Sequence, residues 1–93
     1  MKKVFYYSLP LTGHHFMGEA NSIQHLFLKF ISWARKYHIG KNQAAVLWFC
    51  GSFNDANNLP IGKIVPEKEI EELIKKLEKK LPKSTNVIDL NRF

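Results

Sequence analysis

The alternation of polar and apolar positions changes period along this chain, and each change predicts an element. Lys3–Leu9 (KVFYYSL) is dense in β-branched and aromatic residues and stops at Pro10, so a strand is expected there. Pro10–Ala20 (PLTGHHFMGEA) contains Gly13 and Gly18 and follows no clean period, which predicts a loop. Asn21 is placed to open a helix, with Gln24 three residues on as a capping-box partner. Ile23, Leu26, Phe27, Phe30, Ile31 and Ala34 then recur at helical spacing as a buried stripe. His25, Lys29, Ser32 and Lys36 fall on the opposite, wet face. Tyr37, His38 and Ile39 are expected to finish the helix and Gly40 to cap it.

Ala44–Phe53 (AAVLWFCGSF) shows no alternation, and a strand there would be apolar on both sides. Such a strand belongs either in a parallel sheet with helices on each face or in a one-sided sheet closed by a dimer partner. Asn54–Pro60 (NDANNLP) is turn chemistry, and Ile61–Val65 is a brief strand or an extended connection. Pro66 suits the first turn of a helix. In Pro66–Leu81 the glutamates gather toward the helix N-terminus and the lysines toward its C-terminus, as the macrodipole favours. Ile70, Leu73, Ile74, Leu77 and Leu81 make its buried stripe. Pro82 ends it, and Asn86–Leu90 reads as a last strand.

The predicted order is β-α-β-(β)-α-β in one small α/β domain spanning residues 1–93. Two topologies fit. With Ile61–Val65 as a connection, the chain makes a mostly parallel, Rossmann-like sheet with a helix on each face. With Ile61–Val65 paired to the preceding strand, it makes a ferredoxin-like βαββαβ sandwich. The first accounts for two apolar sheet faces, and the second avoids a long structureless loop.

A hydrophobic content of 45% in 93 residues suits a single packed core. The longest unbroken apolar run, Ala44–Cys50, is far short of a membrane span, and the N-terminal MKKVFYYSLPLTGHH lacks a signal-peptide pattern. A cytoplasmic protein is expected, a cellular or a viral product acting inside a host cell. Cys50 is the only cysteine, which leaves no internal disulfide and no cysteine metal cluster. Its apolar surroundings read as those of a buried, inert thiol.

Charge changes the picture more. The Pro66–Leu81 segment holds five Glu and five Lys and adds nothing to the formal net charge of +6. Residues 1–43 set Lys2, Lys3, Lys29, Arg35, Lys36 and Lys41 against Glu19 alone, a net +5. A localised positive surface attracts anions, phosphates above all.

In a parallel α/β sheet, ligands collect beyond the carboxyl ends of the strands. The segments placed there are polar: Ser8, Thr12, Gly13, His14 and His15, the helix start at Asn21 and Ser22, then Gly51, Ser52, Asn54 and Asp55. These are the candidate ligand contacts, with Lys29, Lys36 and Arg92 to balance phosphate charge. One of His14 and His15 is the candidate proton donor or acceptor. His14, His15, His25 and Asp55 form no metal-site pattern, and neither a metal nor a cofactor is expected. Motifs for a phosphate loop, a dinucleotide fingerprint or a serine elbow are absent.

Three functions are compatible with this reading. The first is a homodimeric binder of a nucleotide or a short, linear or cyclic oligonucleotide. If it is an enzyme, the activity is that of a metal-independent phosphodiesterase, of ribonuclease type. At the level of outline alone, the chain resembles small Rossmann-like domains that bind such ligands across a twofold axis. The second is an RNA- or DNA-binding module that uses the basic helix face, with Tyr6, Tyr7 and Trp48 stacking bases if a sheet face is open. The third is a small protein-interaction or inhibitor protein with no ligand. Leu28, Trp33 and the strands supply apolar surface beyond the needs of two helices, which predicts a homodimer.

Overall fold

The first strand stands where its composition placed it, as β1, Lys3–Leu9. The computed structural model describes residues 2–10, 12–53, 65–81 and 86–93. Along β1, Phe5, Tyr7 and Leu9 are buried, whereas Val4 and Tyr6 are exposed and Ser8 is half-buried, the period of a one-sided strand.

The segment expected to be a loop is instead a second strand, β2, His14–Ala20. It runs antiparallel to β1 in unbroken register from Lys3 opposite Ala20 to Leu9 opposite His14. His14, Phe16, Gly18 and Ala20 are buried and His15 and Glu19 exposed, so the segment does alternate. Two glycines and a buried histidine disguised that alternation. Gly13 closes the connection at φ +73°, a left-handed conformation that glycine adopts without steric cost. Its N–H and that of Thr12 both donate to the Leu9 carbonyl, at 2.9 and 3.2 Å.

Helix α1 covers Ile23–Arg35, shorter at both ends than expected. Ser22, not Asn21, is its N-cap, the hydroxyl accepting from the His25 N–H at 3.2 Å. His38 turns the chain out of the helix at φ 59°. Gly40 then opens the next helix rather than closing this one. That helix, α2, Lys41–Phe49, replaces most of the expected second strand, of which Ser52–Phe53 remains as β3. An apolar run without period suits a buried helix as well as a strand. The i, i+3, i+4 spacing of Ala44, Leu47 and Trp48, all buried, belongs to the helix.

Helix α3, Glu67–Leu77, has the expected stripe of Ile70, Leu73, Ile74 and Leu77, with Pro66 as its N-cap. Glu67 and Glu69 lie in its first turn and Lys75 and Lys76 in its last, each charge on the favourable end of the dipole. Strand β4, Val87–Asp89, follows and runs into a 3-10 turn at Leu90–Arg92. The expectations for Asn54–Pro60 and for Ile61–Val65 as a strand fall on residues 54–64, outside the described residues.

Among the described residues the result is a small mixed α/β domain with a four-stranded sheet, ordered β3-β1-β2-β4, and three helices. Strand β1 is antiparallel to both neighbours, and only β2 and β4 pair in parallel. The expected mostly parallel sheet is thereby corrected: an opening hairpin precedes the first helix. Helix α1 packs on β2 at the covered sheet face, α2 packs beside α1, and α3 buries its stripe against α2. At its centre the Tyr7 hydroxyl donates to the carbonyls of Leu47 and Trp48, at 2.9 and 2.8 Å, while its ring stacks on Trp48 at 4.7 Å. Phe16, Phe30 and Trp33 pack edge-to-face and tilted around it, an arrangement that adds to plain burial.

Candidate functional site

The sheet's second face carries the alternate residues, and they stand open. Val4, Tyr6 and Val87 are exposed to 49%, 46% and 50%, against 1–3% for Phe5, Tyr7 and Phe16 on the covered face. Strand register arranges the open side chains in transverse rows. Ser52 lies opposite Ser8, Ser8 opposite His15, and His15 opposite Val87, a line across four strands. Tyr6, Met17 and Asp89 make the next row, and Val4 with Glu19 the third.

This register sorts the residues selected from sequence. Adjacent strand residues point to opposite faces, so His14 and His15 part company. His15 is exposed, its Nδ1 3.1 Å from the Ser8 hydroxyl. His14 is buried, its Nδ1 2.7 Å from the Thr12 hydroxyl and its ring stacked on Phe16. Ser8, His15 and Ser52 therefore share a row on the open face, while Thr12 and His14 belong to the core side beside Gly13. A hydroxyl held against an imidazole can exchange a proton with it. Asn21 and Ser22 stay at the start of α1, where the Asn21 N–H donates to His25 Nδ1 at 3.2 Å. Asn54 and Asp55 lie outside the described residues.

Gly51 is a packing position. Its N–H donates to the Trp48 carbonyl at 3.3 Å, and it presses on the Tyr7 ring. Burial raises the Tyr7 hydroxyl well above its ordinary range, with the neighbouring Cys50 adding to the shift and a backbone hydrogen bond at Gly51 opposing it. Cys50 donates to the Val46 carbonyl at 3.3 Å, and burial pushes its thiol up to about 11, so it stays protonated at neutral pH.

The cations gather elsewhere. Lys29 Nζ donates to the Glu19 carbonyl and, at 2.9 Å, to Asn91 Oδ1. The same oxygen accepts the Glu19 N–H at 2.8 Å. Lys36 Nζ sits 4.5 Å from the Phe93 ring centroid, a cation–π contact. Asp89 accepts the Asn91 N–H at 2.9 Å and caps the turn. Lys29 and Lys36 thus pin the C-terminal turn, with Arg92 exposed upon it, along the helix face that the sequence marked as wet.

Sequence reasoning missed the open face as a unit. Val4 and Tyr6 signalled it through the period of β1, but Met17 was hidden in the presumed loop. A separate groove of about 340 Å³ between α2 and α3, lined by Asn42, Gln43, Glu69, Glu72 and Lys76 among others, contains none of the selected residues. Among the described residues no three His, Cys, Asp or Glu side chains gather as a metal site would require, and no helix is long and apolar enough to cross a membrane. No protein-family model, curated protein or solved structure matches this chain.

Proposed function

We propose that this protein acts by docking its open sheet face onto another protein. The observation that carries the reading is the cluster of Val4, Tyr6 and Val87, each about half exposed around Met17, on a sheet whose other face is fully packed. Scattered surface apolar residues are ordinary, but a contiguous patch on a flat sheet marks an interaction surface. Tyrosine and methionine at its centre suit a protein partner.

Charge supports the same reading. The formally charged residues of the three rows are Glu19 and Asp89, both acidic, which repel a polyanion. The lysines assigned to phosphate from sequence are engaged with the C-terminal turn. Nucleotide or oligonucleotide binding is the second reading, favoured by one specific arrangement. Tyr6 offers a ring for a base, and the Ser52–Ser8–His15 line offers hydrogen bonds to ribose or phosphate, with His15 as the proton donor if cleavage follows. The parallel pairing of β2 and β4, connected through α1, α2, β3 and α3, is what supports the Rossmann-like element of the fold reading.

A photo-crosslinking residue placed at Tyr6 or at Met17, in the cells that make the protein, tests the proposal. Both positions should yield an adduct of discrete mass that resists nuclease, and Lys75, exposed on α3, should yield none. Equal adducts from all three positions, or none from any, contradict it. A nuclease-sensitive adduct selects the second reading.

A further inference from the structure

We infer that the partner is a second copy of this chain, seated face to face about a twofold axis that runs across the strands through the Tyr6–Met17 row. The inference rests on the docking reading above and names its occupant. A twofold interface must be complementary to itself: whatever lies on one side of the axis has to fit what lies on the other.

The three rows meet that condition. Val4 and Glu19 form one outer row, Ser8 and His15 the other, and Tyr6 with Met17 lies midway. Rotation about the middle row exchanges the outer rows. Tyr6 meets the partner's Tyr6, and Met17 meets the partner's Met17, joining the apolar centres. His15 then stands opposite the partner's Glu19, and Glu19 opposite the partner's His15. When the Ser8 hydroxyl donates to His15 Nδ1, the ring proton sits on Nε2, the nitrogen left to donate to that carboxylate. Hydrogen bonds with a charged acceptor are the stronger kind, and symmetry makes two of them. The Asp89 pair comes to one rim, where each carboxylate already accepts its own Asn91 N–H and solvent screens the repulsion. Packed sheets keep their strands within about 30° of alignment, so the rows stay close to register over the centre.

The interface is small. Two seven-residue strands flanked by one of two and one of three residues, at about 3.3 Å rise and about 4.8 Å spacing, give roughly 300 Å² in plan per copy, less than half of a standard interface. The expected dimer is therefore weak and reversible, with a dissociation constant on the order of 10–100 µM.

Charge exchange tests it. The Glu19 side chain is exposed and only its backbone serves the C-terminal turn, so changing the side chain spares the fold. By sedimentation equilibrium from about 1 to 300 µM, the wild type should pass from monomer to dimer. His15→Glu and Glu19→Lys should each weaken the dimer by about tenfold or more, because like or mismatched groups then meet twice. An equimolar mixture of the two variants should recover association, since one cross-contact becomes carboxylate against lysine and the other stays native. Circular dichroism should show all three folded alike. A wild type that remains monomeric throughout, single variants that dimerise as the wild type does, or a mixture no better than its parts overturns the inference. A monomeric wild type that still crosslinks from positions 6 and 17 to a protein of another mass overturns self-pairing and leaves the docking reading standing. Loss of crosslinking at both positions removes the docking reading too.

Discussion

Gly51→Ala should melt far below the wild type, by on the order of 15 °C, although it adds one methyl group to a half-buried turn. A Cβ at this position would lie 1.8 Å from Tyr7 Cε2, 2.1 Å from Cζ and 2.3 Å from the hydroxyl oxygen. The ring has little freedom to withdraw. It is 1% exposed, stacked on Trp48 at 4.7 Å, and faces Phe53 at 4.9 Å. Its hydroxyl is tied to two carbonyls at the end of α2. Nor is residue 51 free to move, since Ser52 follows it into register with Ser8. Overpacking of this kind costs about 3 kcal/mol or more, a large share of the total stability of a small domain. The measurement is thermal unfolding followed by circular dichroism. A midpoint within two or three degrees of wild type would mean that α2 does not end against β1 as described.

The second large effect is Trp33→Ala, expected to destabilise by about 3–5 kcal/mol. Trp33 is 1% exposed, with Phe16 at 4.7 Å, Phe30 and Tyr37 at 5.4 Å and His14 at 5.9 Å between ring centroids. The surrounding rings are anchored on β2, on α1 and on the turn that follows it, and cannot close over the space. Read from sequence, Trp33 joined Leu28 as surplus surface for a dimer. The two separate in the fold: Trp33 is core, whereas Leu28 is 59% exposed on α1. Urea unfolding at neutral pH should show the loss as a lower midpoint. A change below about 1 kcal/mol would place Trp33 outside the core.

These two residues illustrate where the chain is legible. Elements whose local signals agree were read correctly. Strand β1 has composition, period and a terminal proline all pointing one way, and α3 has its stripe, its dipole-matched charges and Pro66. Elements whose signals conflict were not. His14 reads as polar, but the hydroxyl of Thr12 and the ring of Phe16 let it sit in the core, and that one reversal turns an aperiodic loop into an alternating strand. Ala44–Phe49 is apolar without period because α2 lies between α1 and α3, which half-buries Ala45, Val46 and Phe49 beside the buried face of Ala44, Leu47 and Trp48.

The candidate site follows the same logic. Ser8, His15 and Ser52 were selectable by type, but their assembly into one row depends on strand register, which sequence leaves open until the hairpin is known. Lys29 and Lys36 looked free because their partners are Asn91 and Phe93, more than fifty residues away in the chain.

All of this turns on β2 presenting one face to the core and the other to solvent, and His14 and His15 report the two faces directly. Carbethoxylation followed by peptide mass spectrometry, on protein dilute enough to be monomeric, compares them in one experiment. The account predicts that His15 reacts promptly, together with exposed His38, while His14 remains protected until the protein is unfolded. Equal reaction rates for His14 and His15 in the folded protein would contradict it.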